Sequence, residues 1–248
     1  AFSSLTLRFR LIIIFTLGRK PFGFLHTAAN LQPKPYSNVK KYFRNVDKLM
    51  LDKLKSLVDK EIKALQQIPI DETIIRAVEL IHNRVHEFGG KVVLAGMGKA
   101  GQIGMNIATT LSSTGTPSIF VHPMEAQHGD IGVLQKNDVV ILISNSGVTD
   151  EVVMLADLVK KLYSEMPIIS LTGDRNGKLH KLAQVSLITG KPDEICPLGL
   201  TPTTSTTAMT VIGDLIVVAL MEKIGFTKEQ YAKRHHSGYL GNKARDHG

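Results

Sequence analysis

From residue 91 onward, short apolar runs alternate with stretches of helical periodicity: KVVLAG (91–96), PSIFV (117–121), DVVILIS (138–144), PIISLT (167–172) and VSLIT (185–189). Strands apolar on both faces and separated by helices predict a parallel sheet covered on both sides, so the fold expected is an α/β three-layer sandwich with five strands. Ahead of these runs, Met50, Leu54, Leu57, Val58 and Leu65 share one face across 47–66, with Lys and Asp opposite, which predicts an amphipathic helix. Asp71 can cap a second helix, in which Ile74, Val78, Ile81 and Val85 recur at helical steps until Gly89-Gly90 stops it. The last long element, 204–225, is apolar nearly all round through Met209, Val211, Ile212, Leu215, Ile216, Val217, Val218 and Leu220. Such a helix is buried in a core or a subunit contact. No internal repeat interrupts the series, and one α/β domain with a helical N-terminal arm is expected.

Charge changes this picture only at the start of the chain. The 248 residues carry 30 Lys+Arg against 22 Asp+Glu, a formal net charge of +8. Eight of the basic residues and none of the acidic ones lie in 1–46, so 47–248 is neutral. The basic character therefore belongs to an appendage, read as a targeting or dispensable leader over 1–46, and does not indicate nucleic-acid binding. The absence of Trp and the 6% aromatic content also weigh against base stacking. The apolar stretch 11–17 is far shorter than the roughly 20 residues a membrane span needs, so no span is expected. The body is expected to work in the cytoplasm, with organelle targeting left open by the leader. A single cysteine, Cys196, excludes an internal disulfide framework and a Cys-built zinc site.

In open parallel sheets, ligands bind at the carboxyl ends of the strands. Three loops in such positions are rich in Gly, Ser and Thr. The first, GMGKAGQIG (96–104), satisfies G-x-G-x-x-G with Gly96, Gly98 and Gly101, the pattern of a dinucleotide fold. That fold needs an acid at the end of the next strand, and PSIFV runs instead into His122-Pro123. Tight strand–helix packing explains the glycines but not Lys99, which sits where a cation would face a ligand. The second, Ser144-Asn145-Ser146-Gly147-Val148-Thr149, enters a helix near Asp150. Hydroxyls and backbone N–H groups at a helix start suit a phosphate monoester, although the same residues also cap helices for stability alone. Glu151 then stands beside the same pocket. The third, CPLGLTPTTSTT (196–207), has more hydroxyls than capping requires and again opens a helix. His122 and His128, in VHPMEAQHGD, and His235 and His236, in RHHSGYLG, suit proton transfer near neutral pH. The spacing of His122, Glu125 and His128 matches no standard zinc signature, so no metal is expected.

In this order and spacing, GMGKAGQIG, SSTGTPSIFVHPMEAQHGDIG, ISNSG, CPLGLTPTTSTTA and HHSGYLG resemble the sugar isomerase (SIS) domain of arabinose-5-phosphate isomerases over roughly residues 85–245. The resemblance implies reversible interconversion of D-ribulose 5-phosphate and D-arabinose 5-phosphate without a cofactor, in the pathway to the lipopolysaccharide sugar Kdo. It implies catalytic roles for Lys99, His128, Glu151 and His235, and phosphate contacts from Ser144, Ser146 and Thr149. Asn145, Ser113, Thr204 and Ser205 are counted with them as candidate phosphate contacts. It also implies a homotetramer whose active sites draw on more than one subunit, with a small-molecule sugar phosphate as ligand and no nucleic-acid partner. Three departures stand out. Val148 occupies a position where many relatives carry an acid. HHSGYLG replaces HPGGALG, so His236 competes with His235. A pair of CBS repeats expected downstream is not contained in these 248 residues. The alternatives are an SIS isomerase for another sugar phosphate and a non-catalytic sugar-phosphate sensor, though no helix-turn-helix is legible in 1–90.

Overall fold

The computed structural model of the chain describes residues 36–245, with side chains from residue 45 onward. Two compact units divide between Leu51 and Asp52. The expected helix over 47–66 is observed as α1, Tyr36–Gln66, and starts well before the apolar stripe. Once a helix has formed, each further turn adds a hydrogen bond per residue fixed, so a polar stretch without Gly or Pro can prolong it. Its first residues fall inside the basic leader read over 1–46; the remainder of that leader lies outside the described residues. Within 52–66, Leu57 and Leu65 are half-buried, whereas Leu54 and Val58 remain exposed.

Helix α2, Glu72–His82, begins as expected: the Asp71 carboxylate accepts from Thr73 N at 2.9 Å and caps the first turn. It passes through a π-helical turn, Asn83–Glu87, and ends before Gly89, whose φ of +72° suits only glycine. The sheet then alternates with helices: β1 Val92–Gly96, α3 Gly98–Ser113, β2 Ser118–Phe120, α4 Pro123–Ala126, β3 Val139–Ile143, α5 Asp150–Leu162, β4 Ile168–Thr172, α6 Lys178–Leu182 and β5 Val185–Ile188. A long helix α7, Thr204–Lys223, and two short ones, α8 Lys228–Arg234 and α9 Gly238–Arg245, follow. All five strands are parallel, in the flavodoxin-like order β2-β1-β3-β4-β5.

The period of two along each strand sorts the core into two layers. Val92, Leu94, Ile141, Ile143, Ile169, Leu171 and Leu187 face α2, α3 and α7. Val93, Ala95, Val140, Leu142 and Ile168 face the opposite layer, packed by Val152, Leu155 and Val159 of α5. One strand departs from the two-sided burial read from the sequence. β2 is short and lies at the sheet edge, where Ile119 is 40% exposed because no strand lies beyond it. α7 is the one helix among the described residues long and apolar enough to cross a membrane, with mean hydropathy 1.6, and half of that window is buried in the domain. Ala208, Met209, Ile212, Ile216 and Leu220 supply that buried half.

A buried carboxylate ties the sheet at the end where β1 and β3 begin. Asp138, with no exposed surface, accepts from Lys91 N at 2.9 Å, Gln135 N at 2.8 Å and Lys91 Nζ at 2.7 Å. It thereby joins the residue before β1 to the residue before β3 and supports their register, Val92 opposite Val139.

Candidate active site

The parallel register brings the strand ends level. Gly96 of β1 is opposite Ile143 of β3, so the GMGK and SNSG loops leave the sheet side by side. This is the topological switch point, since the chain moves from β1 outward to β2 and then returns to place β3 on β1's other side. A cleft of about 510 Å³ opens there, lined by Met97, Lys99, Ser144, Asn145, Ser146, Val148, Thr149, Asp174, Lys191, Ser205 and Thr206 among others. Lys99, Ser144, Asn145, Ser146, Thr149 and Ser205 of the sequence-derived set are thus gathered in one place.

The glycines of the first loop have a packing explanation. A Cβ on Gly101 would stand 2.5 Å from the Gly96 carbonyl oxygen, and one on Gly104 would press on the Phe120 ring at 3.2 Å. They let α3 lie directly on β1. Lys99 follows in the first turn of α3, exposed, and among the described residues it makes no salt bridge.

The second loop is fixed by its own hydroxyls. Ser144 Oγ and Thr149 Oγ1 are 2.8 Å apart, and Gly147 N donates to Ser144 Oγ at 3.2 Å. Gly147 needs its φ of +65°, and a Cβ there would meet Thr172 Oγ1 at 3.0 Å. Because the Thr149 hydroxyl is turned to Ser144, no side chain caps α5. The free N–H groups of its first turn are left for an anion. Glu151 stands in that turn, half-buried, two residues beyond Thr149, and is not itself among the residues lining the cleft.

The start of α7 is different. Glu194, a residue that composition and spacing did not single out, places its Oε2 against Thr203 N at 2.6 Å, Thr203 Oγ1 at 2.9 Å and Ser205 N at 3.3 Å. Burial works against its charge, but the donors on Ser205 and Thr203 outweigh it and hold the carboxyl below its ordinary value. That helix start therefore already has its anion. Thr204 is a correction to the phosphate set: fully buried, it donates its hydroxyl to Glu61 Oε1 of α1 at 2.8 Å and does not line the cleft. Ser205 does line it, with its hydroxyl directed at the Glu194 carboxylate, whereas the buried Asn145 Oδ1 has no partner among the described residues. Buried polar atoms without partners are rare, so Asn145 Oδ1, on a residue that lines the cleft, calls for a water or a ligand group.

Ser113 also stays apart from the cleft within this chain. It sits at the far end of α3, donates to Thr110 O at 2.9 Å, and lines a separate hollow with Met105, Phe120 and Arg234. At 1.5 Å per residue, a helix of this length holds it roughly 20 Å from Lys99. The histidines also stay apart from the cleft within this chain. His128 is exposed, just beyond α4. His235 is half-buried at the end of α8, its ring stacked on Tyr231 at 3.8 Å between centroids. Its Nδ1 lies 3.0 Å from Tyr231 O. A carbonyl only accepts, so in this contact the proton lies on Nδ1. His236 is exposed. No three of His, Cys, Asp and Glu among the described residues are grouped to hold a metal ion.

Cys196 lies outside the cleft. The Thr201 N–H, 3.2 Å from Sγ, is the main influence that lowers the thiol to about 7. Its alkylation by iodoacetamide is expected to reach half its limiting rate near pH 7; a midpoint near the ~8.5 of an unperturbed thiol would contradict that hydrogen bonding.

Residues 89–219 match the model of the SIS domain. The chain is 51% identical over 154 residues to arabinose 5-phosphate isomerase KdsD of Pseudomonas aeruginosa, covering 62% of this chain and 47% of that protein. It thus spans about half the length of the curated relatives it matches. Among solved structures, a Bacteroides fragilis protein described as a phosphosugar isomerase involved in capsule formation superposes with a TM-score of 0.76 at 53% identity, covering 77% of this chain and 99% of that one. An Escherichia coli CFT073 protein in complex with arabinose 5-phosphate superposes with a TM-score of 0.70 at 36% identity, covering 77% and 98%.

Proposed function

Since the chain belongs to the SIS domain family, we propose that it is an aldose–ketose isomerase interconverting D-ribulose 5-phosphate and D-arabinose 5-phosphate, the product serving Kdo or capsule sugar synthesis. The observation that carries this reading is the cleft that brings together Lys99, the Ser144–Thr149 loop and the uncapped start of α5. The phosphate would sit on Ser144, Ser146, Thr149 and the first-turn N–H groups, where hydrogen bonds and helix dipole both favour negative charge. The KdsD relatives and the neighbour in complex with arabinose 5-phosphate support the choice of sugar.

The reaction removes a proton from C1 of the open-chain ketose, forms a cis-enediol and returns a proton at C2. In reverse, the furanose ring of the aldose must first open. A base is needed beside C1 and C2, a cation beside the enediolate oxygen, and an acid/base for the oxygen protons. Glu151 is the proposed carbon base, since its helix turn also carries the phosphate loop and so keeps carboxylate and sugar in fixed relation. Lys99, with no carboxylate partner among the described residues, is the proposed stabiliser of the enediolate. His128 and His235 are the proposed ring-opening and oxygen-proton groups. Neither of them nor Glu151 is among the residues lining the cleft within one chain, which supports a homotetramer in which a second copy completes the site. Sugar phosphates are made and retained inside the cell, so the cytoplasm is the proposed place of work.

The test is direct. The full chain incubated with D-ribulose 5-phosphate, without nucleotide or added metal, is expected to produce D-arabinose 5-phosphate by NMR. Sugar-phosphate binding without conversion would replace the isomerase by a sensor or by an enzyme for another sugar.

A further inference from the structure

The cleft contains a second lysine that neither the motifs nor the reaction above uses. Lys191 lines it from the far side, in the segment after β5. Among the described residues it is the one non-glycine residue with positive φ, 52°, and it follows Gly190 at +85°. L side chains avoid that region, and residues held there cluster at ligand sites. Its Nζ stands 3.7 Å from Asp174 Oδ2, too far for a hydrogen bond. Asp174 is itself anchored: its Oδ1 accepts from Asn176 N at 2.8 Å in the turn after β4. A loose, solvated pair of this kind, with the lysine side chain 69% exposed, contributes little to stability and does not account for a strained backbone.

Position accounts for it better. The sheet order β1-β3-β4-β5 sets the Ser144–Thr149 loop between Lys99 on the β1 side and Lys191 on the β5 side. The Asp174 turn abuts that loop directly, with Gly173 N donating to Asn145 O at 2.9 Å. Two residues before Lys191, Thr189 is buried with an unpartnered Oγ1. A Cβ placed on Gly173 would lie 2.7 Å from Asn145 Oδ1 and 3.3 Å from this Thr189 Oγ1, so the two unpartnered atoms flank the same glycine beside the Lys191–Asp174 pair.

We propose that Lys191 is a second cation of the cleft, directed at the phosphate of the bound sugar phosphate and held at the wall by Asp174 until the phosphate takes the carboxylate's place. The inference rests on the sugar-phosphate reading and deepens it by dividing the two lysines: Lys191 serves binding and Lys99 serves the reacting carbons. A dianionic phosphate offers Nζ more charge and more acceptors than the single carboxylate 3.7 Å away. Asp174 in turn keeps the lysine near the loop and repels anions that cannot displace it.

Lys191→Gly is the informative variant, because glycine accepts the positive φ and the fold is kept while the cation is lost. In the full chain, affinity for inorganic phosphate and for D-arabinose 5-phosphate, read by calorimetry, is expected to fall about ten-fold, the size of one charge-assisted contact. KM for the sugar phosphate rises by the same factor, kcat stays within about two-fold, Tm does not fall, and Lys191→Arg restores most of the affinity. Unchanged phosphate affinity in Lys191→Gly, or a loss confined to kcat, overturns the assignment. Because phosphate binding is read without turnover, the two proposals fail separately. Lys191-dependent phosphate binding without isomerisation defeats the reaction and leaves Lys191 standing. Isomerisation untouched by Lys191→Gly does the reverse.

Discussion

Glu151→Gln is expected to give a folded protein that binds sugar phosphate and converts it about 10²- to 10⁴-fold more slowly, the range for removing a positioned general base. The substitution is nearly isosteric and lies in the first turn of α5, where Gln is a good helix former, so the helix and the Ser144–Thr149 loop before it keep their shape. In the proposed site the loop hydroxyls, helix N–H groups and Lys191 hold the phosphate and none of them is touched, so KM is expected to change little while kcat collapses. Lys99→Ala is expected to do likewise, as it removes the cation proposed to face the developing negative charge. The measurement is steady-state kinetics with D-ribulose 5-phosphate beside far-ultraviolet circular dichroism. Turnover close to the unsubstituted protein in both variants would remove these residues from the chemistry. Val148, 50% exposed on the cleft wall in place of an acid, would then leave the chain without a carbon base on that loop.

The largest effect on stability is expected at the opposite end of the sheet. Asp138→Ala strands the Lys91 and Gln135 N–H groups, both of which donate to its carboxylate, and removes the partner of Lys91 Nζ. Buried donors without acceptors cost ~1–3 kcal/mol each, so a loss of about 3 kcal/mol or more is expected. For a domain of this size, that lowers Tm by roughly 6–12 °C. Activity per folded molecule below the transition is expected to remain, because the cleft lies at the other ends of β1 and β3. A Tm within about 2 °C of the parent would mean that water replaces the carboxylate and that the pairing of β1 with β3 rests on apolar contacts alone.

These two residues differ in how far they can be read from sequence. Glu151 follows a hydroxyl-rich loop that itself follows an apolar run, and local order alone puts it at the carboxyl edge of a parallel sheet. All five strands were legible for the same reason, since burial on both faces leaves a run of Val, Ile and Leu that nothing else in a soluble chain requires. Asp138 begins such a run and reads as a solvated strand start; only the register that brings Lys91 and Gln135 to it makes it structural. The same limit explains where Ser113 and Thr204 lie within this chain. Ser113 shares a helix with Lys99, but the length of that helix carries it to the other end of the sheet. Thr204 is adjacent to Ser205, yet one position along a helix start turns its hydroxyl from the cleft to Glu61. Glu194 was missed because a carboxylate in a loop of prolines and acids carries no sign that it caps a helix nine residues later. Lys191 is marked by its backbone conformation, which composition and periodicity do not record.

The switch point also governs how the protein comes to have a cleft during folding. One wall is built from the turn after β1 and the other from the turn after β3, and these strands pair only once β2 and its flanking helices lie between them in sequence. Parallel pairing of this kind is non-local, and its loop-closure entropy must be overcome before any contact compensates it. A nascent chain that has formed β1, α3 and β2 therefore has a folded lysine turn with nothing opposite it. Ligand binding and the pairing of β1 with β3 are consequently linked: the proposed sugar phosphate is expected to stabilise only the species in which both halves of the sheet have joined, and so to act on the late, cooperative part of folding rather than on its early local helices.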